Sequence, residues 1–246
     1  MSDEFARIKN KIMTSDPSKC WGDDFDVRFY LVSKLKKLHK KSVLDIGGGI
    51  GIISSELDKG NFRINLDSSL NDLKICREKT DPEIQNICAS MTNLPFIDNS
   101  FDCVICAHLL EIAKHLDIEK NQVITDNHIA QYPTVEKTLK EISRVLDSDG
   151  TLFLTTPNNV HYKSTKLYYH ELKKSISNHF SRYSLSFYNT FPRLSKKHRK
   201  LNLANILPKL MSKVISRNKL VTTLLIKDDD GNERESVSFY VEAFKN

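Results

Sequence analysis

Five apolar runs of strand length, SVLDI, FRINLD, EIQNICAS, FDCVICAHLL and TLFLTTP, recur between residues 42 and 157. The stretches between them carry helical spacing or cap signals. Strands that alternate with helices are joined by crossovers, and crossovers make neighbouring strands parallel and place helices on both faces of one sheet. Before the first run, DFDVRFYLVSKLKKLHK sets Phe29, Leu31, Val32, Leu35 and Leu38 on one helical face. After the second, SLNDLKICREKT reads as a helix with Ser68 or Ser69 at its cap. TVEKTLKEISRVLDSDG reads as a helix closed by Asp-Gly, and RYSLSFYN and SVSFYVEAFK alternate with period two as late strands.

Gly47, Gly48, Gly49 and Gly51 stand where the first strand hands over to GIISSELDKG, a stretch expected to begin a helix that Gly60 ends. Glycine permits a tight turn and close approach of a ligand to the backbone, and a helix N-terminus offers unpaired N–H groups. One glycine would serve a plain turn, so the cluster indicates a ligand-binding loop at the carboxyl edge of the sheet. A dinucleotide fingerprint requires a glycine where Ile52 stands, and a P-loop requires Gly-Lys-Ser/Thr, which is absent. The pattern present is D-x-G-x-G-x-G, beginning at Asp45.

That pattern resembles motif I of class I S-adenosylmethionine-dependent methyltransferases, and the resemblance continues through residues 40–160. Asp67 ends the second strand where the family places an acid on the ribose hydroxyls. SMTNLPFIDNSFDCVICAHLLE and LKEISRVLDSDGTLFLTTPN resemble the family's adenine loop, fourth strand, following helix and fifth strand, in the manner of the type-11 branch. The resemblance implies a Rossmann-like, doubly wound, mostly parallel seven-stranded sheet with helices on both faces. It also implies S-adenosyl-L-methionine as cofactor, with Asp45, Gly47, Gly49, Gly51, Asp67, Ser68, Ser90, Met91 and Ala107 in its shell. One departure stands out: Ser90 occupies the place of the aspartate that usually accepts from the adenine amino group. Its hydroxyl accepts too, without charge assistance, and the Met91 N–H is expected to help.

His108 follows the fourth strand at its carboxyl end and is the first candidate for a base or acceptor-positioning group. IAKHLDIEKNQVITDNHIAQYP is a long polar connection at the same edge, suited to a lid or acceptor wall. It offers His115, His128 and Tyr132, and His128 is the second candidate base. No Asn/Asp-Pro-Pro-Tyr segment and no Pro-Cys pair of the kinds used by DNA-methylating relatives is present. Oxygen of a small molecule, glycan or lipid-linked acceptor is therefore the favoured target. No metal is expected.

Charge is divided unevenly. Residues 161–246 hold 17 Lys+Arg and 7 Asp+Glu, a balance of +10, which leaves 37 − 17 = 20 against 31 − 7 = 24, or −4, for the rest. LSKKHRKLNLANILPKLMSKVISRNK concentrates the excess and reads as a basic amphipathic helix, about 193–220, inserted between the two late strands. A solvated helix face, peripheral contact with an anionic membrane, and RNA binding are its three readings, RNA being the least favoured. The organisation expected is an N-terminal helical cover, 1–40, and a methyltransferase domain, 41–246, with its cofactor-binding core in 41–160. The five scattered cysteines suit a reducing cytoplasm. Cys103 and Cys106 form a C-x-x-C whose members point to opposite faces of a strand, which makes them core residues rather than a redox pair.

Overall fold

The computed structural model describes residues 31–126, 129–157, 167–188, 225–227 and 238–245. The basic segment 193–220 and His128 lie outside the described residues. The strands are β1 Ser42–Ile46, β2 Phe62–Asp67, β3 Gln85–Cys88, β4 Phe101–Ala107, β5 Ile124–Asp126, β6 Ile129–Gln131, β7 Leu146–Pro157, β8 Arg182–Tyr188, β9 Leu225–Lys227 and β10 Ser238–Phe244. The helices are α1 Leu70–Lys79, α2 Leu110–Glu119, α3 Pro133–Val145 and α4 Tyr169–His179.

The main sheet has the order β3-β2-β1-β4-β7-β10-β8-β9. From β3 to β7 every pairing is parallel; β10 then inserts antiparallel between β7 and β8. This is the expected seven-stranded, mostly parallel, Rossmann-like sheet, with the short β9 added antiparallel at the β8 edge. Alternation along each strand fills two cores. Leu44, Ile46, Val104 and Cys106 meet Leu139 and Ile142 of α3 on one face. Val43, Cys103, Ile105 and Phe153 meet Leu31 and Leu35 on the other. Cys103 and Cys106 thus point to opposite faces, where burial pushes both thiols far up.

The expected helix after the glycines is absent. Gly51–Ile53 are turns and only Ser54–Glu56 form a single 3-10 turn. The turn ends where Leu57 becomes extended, and two serines lie within it. The Ser54 hydroxyl donates to Asp45 Oδ2 at 2.7 Å, and that of Ser55 donates back to the Gly51 carbonyl at 2.6 Å. The second accompanies the helical bond from the Ser55 N–H to the same carbonyl, at 3.0 Å, so neither bond by itself bars a helix. The polar connection also has structure: α2 occupies its first half, and β5 and β6 pair as an antiparallel hairpin in its second. Ser69, not Ser68, caps α1, accepting from the Asp72 N–H at 3.3 Å. The helix expected to close at Asp-Gly ends at Val145, and the DSDG residues are an irregular stretch of β7. Among the described residues no helix is long and apolar enough to cross a membrane.

Candidate active site

The carboxyl ends of β1, β2, β4 and β7 meet at one edge. The Gly47 N–H donates to the Leu66 carbonyl at 2.7 Å, Ala89 donates to the Asp67 carbonyl at 3.1 Å, and His108 donates to that of Thr155 at 2.8 Å. The loops carrying Gly47–Gly51, Asp67–Ser69, Ala89–Met91 and Ala107–His108 are therefore neighbours.

Gly47, Gly49 and Gly51 have φ of +69°, +54° and +77°, the left-handed region that strains other residues. Their surroundings differ. A Cβ on Gly47 would stand 2.7 Å from Leu109 Cδ1, one on Gly48 would collide with Asn65 Oδ1, and one on Gly51 with Cys76 Sγ. These three glycines are required by the protein's own packing. A Cβ on Gly49 meets only Asp67 Oδ2, at 3.9 Å. Gly49 is thus the member of the cluster whose missing side chain leaves open space beside a carboxylate, the kind of cradle a ligand fills. With the helix reduced to one 3-10 turn, little macrodipole is available here.

Asp67 is half-buried. Its Oδ2 accepts from the Gly49 N–H at 2.9 Å and its Oδ1 from the Ser69 N–H at 2.8 Å. Each oxygen retains a second lone pair, so the carboxylate can hold the loop and still accept from a vicinal diol. Asp45 is 1% exposed and lies beneath Gly48, so its reach is to the loop rather than to open space. Ser68 is exposed. Ser90 is exposed as well and closes the 90–93 turn, with its Oγ 3.0 Å from Thr92 Oγ1 and accepting from the Thr92 N–H at 3.3 Å. Met91 packs on the larger core and Ala107 on the smaller.

His108 is buried and holds φ +55°, a left-handed conformation that histidine adopts more readily than most side chains. Its Nδ1 lies 3.3 Å from Glu111 Oε1, and Glu111 Oε2 accepts from the Thr156 hydroxyl at 3.1 Å. The imidazole, carboxylate and hydroxyl come from the end of β4, the start of α2 and the end of β7. The i,i+3 spacing of His108 and Glu111 at a helix start was the available sequence signal for this pair; Thr156 had none.

Two other candidates sit elsewhere. His115 is exposed and pairs with Glu119 at 2.9 Å on the surface of α2. Tyr132 is buried and donates to Glu171 Oε1 at 2.9 Å, while Lys114 Nζ lies 2.8 Å from Glu171 Oε2 and over the Tyr132 ring. Tyr132 therefore joins α2, α3 and α4 and is not presented to an acceptor.

The family profile described as a methyltransferase domain matches residues 44–154. The curated protein MJ0638 of Methanocaldococcus jannaschii, an uncharacterized protein, is 35% identical over 127 residues, covering 50% of this chain and 45% of that protein. The chain thus spans less than half of that relative's length. Among solved structures, a chain of the complex between the Haloferax volcanii Trm112 methyltransferase activator and a methyltransferase superposes with TM-score 0.58 at 17% identity, covering 100% of this chain and 96% of that one. A Thermotoga maritima protein, described as an S-adenosylmethionine-dependent methyltransferase and possible histamine N-methyltransferase, gives 0.52 at 14%, covering 89% and 94%. At these identities the structural likeness speaks for the fold. The profile match covers the strands and loops that build this edge, so residues 44–154 resemble a methyltransferase domain on a fold shared with S-adenosylmethionine-dependent methyltransferases.

Proposed function

We propose that this protein transfers a methyl group from S-adenosylmethionine to oxygen of a small-molecule, glycan or lipid-linked acceptor. The observation that carries the reading is His108, held in a left-handed backbone at the carboxyl end of β4 with Nδ1 facing Glu111. Costly backbone conformations persist where the surroundings over-determine them, often at sites of chemistry.

When bound, S-adenosylmethionine supplies an electrophilic methyl group carried on a sulfonium. The chain's own residues supply the rest. Gly49 leaves room for the ligand, and Asp67 offers its remaining lone pairs to the ribose hydroxyls. Ser90 and Met91 would hold the adenine. Donation from His108 Nδ1–H to Glu111 puts the basic lone pair on Nε2. His108 Nε2 is itself buried, so the ring must turn outward for a proton leaving an acceptor hydroxyl to pass to that nitrogen. Oxygen acceptors need this service, and a positioned base gives about 10²–10⁴-fold.

The test uses cofactor labelled in its methyl group, incubated with the protein and fractionated cell extract. Label in a small-molecule, glycan or lipid fraction is expected. Label in RNA would overturn the acceptor class. His108→Asn keeps a residue that tolerates φ > 0 and should lower turnover by about 10²-fold or more with cofactor binding retained. Unchanged turnover would remove His108 from the chemistry.

A further inference from the structure

Beneath the glycine loop a polar rung crosses three strands. Asp45 on β1 is in register with Asn65 on β2, and Asn65 with Asn86 on β3. Asn65 is fully buried. Its Nδ2 donates to the Gly49 carbonyl at 2.9 Å and to Asn86 Oδ1 at 3.0 Å. Asp67, two residues further along the same face of β2, accepts from the Gly49 N–H at 2.9 Å. Two side chains of one strand therefore hold Gly49, one by its carbonyl and one by its N–H. Asn86 is anchored in turn, its Nδ2 donating to the Ile84 carbonyl at 3.3 Å.

We propose that Asn65 is a positioning residue for the cofactor: it fixes the conformation of Gly49 through the Gly49 carbonyl and, with Asn86, makes the loop rigid before the cofactor arrives. The inference rests on the reading that this loop receives S-adenosylmethionine. Two features of the rung point to a role in binding rather than in stability. Asn65 Oδ1 is buried with no hydrogen-bond partner among the described residues, a cost that an apolar side chain would not carry. The amide also fills the space where any side chain at Gly48 would go, so a glycine and an asparagine are matched to each other at this point. Rigid placement before binding raises affinity by lowering the ordering cost.

Asn65→Leu separates the two roles, because leucine is close in size and removes both the donor and the orphan acceptor. Three quantities are read on the full chain: affinity for S-adenosylhomocysteine by calorimetry, Tm, and hydrogen exchange of the Gly49 N–H. The expected result is a lower Tm, because the Gly49 carbonyl and Asn86 Oδ1 lose their donor, together with faster Gly49 exchange and affinity lower by about 10-fold, the factor that corresponds to 1.4 kcal/mol. Asn86→Ala removes only the anchor and should lose less affinity in the same direction; it also serves if Asn65→Leu fails to fold. A lower Tm with affinity within twofold of the parent would overturn the proposal and leave Asn65 as a core residue. If the parent protein itself binds no S-adenosylhomocysteine, the reading of the loop fails and this proposal with it, whereas a parent that binds and an Asn65→Leu variant that binds equally well overturns the proposal alone.

Discussion

Ser42 and Asp102 bind each other from both sides at the start of the two central strands. The Ser42 N–H and hydroxyl donate to Asp102 Oδ2 at 2.8 and 2.7 Å, and the Asp102 N–H donates to Ser42 Oγ at 2.9 Å. Lys41 Nζ adds an ion pair at 2.8 Å to Oδ1. Partial burial pushes the Asp102 carboxyl up, but the Lys41 and Ser42 donors outweigh it and hold the group down at about 2, against an ordinary 3.8. A carboxyl held below its unfolded value stabilises the fold above that value. The contribution is fully present above about pH 5 and is lost as pH falls through 4 toward 2. With the side chain 35% exposed, solvent screening leaves about 1 kcal/mol. Denaturant titrations of the parent and Asp102→Asn should differ by that amount near pH 6 and converge near pH 2. A gap that persists at pH 2 would mean the carboxylate charge is not its source.

Three of the loop glycines should separate by phenotype. Gly48→Ala and Gly51→Ala drive a methyl group into Asn65 and Cys76, so both should lose several kcal/mol of stability. Gly49→Ala carries only the strain of its left-handed backbone, about 1–2 kcal/mol, and should fold. It should nonetheless lose S-adenosylhomocysteine binding in calorimetry. A folded Gly49→Ala with parental affinity would detach this loop from the ligand.

Ser90 closes its turn with the same oxygen that the proposal assigns to adenine. Aspartate brings two oxygens, one for the Thr92 N–H and one for the base. Ser90→Asp should therefore keep the fold and tighten cofactor binding by up to about 1–2 kcal/mol. A loss of affinity would show that the turn, not the base, governs this position.

Lys114 and Glu171 should respond unequally to removal. Lys114→Met leaves a buried carboxylate held, among the described residues, only by Tyr132 and the Tyr168 N–H, and should cost about 3 kcal/mol in urea unfolding. Glu171→Gln should cost less. Burial already pushes the Lys114 ammonium down, against the pull of Glu171, so without the carboxylate it can shed its proton and stay buried as a neutral amine. Equal losses would argue that Lys114 stays charged in Glu171→Gln.

Much of the fold could be read from the sequence because a strand buried on both faces is apolar whichever way its residues point. Val43 and Leu44 enter different cores, yet both are simply hydrophobic in the sequence. The loop could be read from glycine spacing, although the spacing does not distinguish Gly49, open to a ligand, from Gly48, which faces Asn65. What could not be read depended on partners elsewhere in the chain. The Ser54 hydroxyl is held by Asp45, nine residues back, and the turn it sits in ends at Leu57, where the apolar period supports a helix. Tyr132 looked like an acceptor-facing group and instead serves Glu171, 39 residues away. Asn65 had no local signal, since its meaning lies in register with Asp45 and Asn86 on other strands.

The placement of β10 has a consequence for how the chain assembles. During synthesis β1 through β7 can pair as they emerge, each finding a partner already made. β8 cannot, because the strand that joins it to β7 is Ser238–Phe244, more than fifty residues later. Until then β7 presents an open, largely apolar edge, and β8 must wait apart from the sheet, the condition in which strands pair with wrong partners. Completion also sets a clasp: Lys245 Nζ donates to the Leu146 carbonyl at 2.7 Å and to Asn99 Oδ1 at 2.6 Å. A ribosome-stalled chain should thus gain protease resistance in two stages, the second only after residue 245 has cleared the exit tunnel.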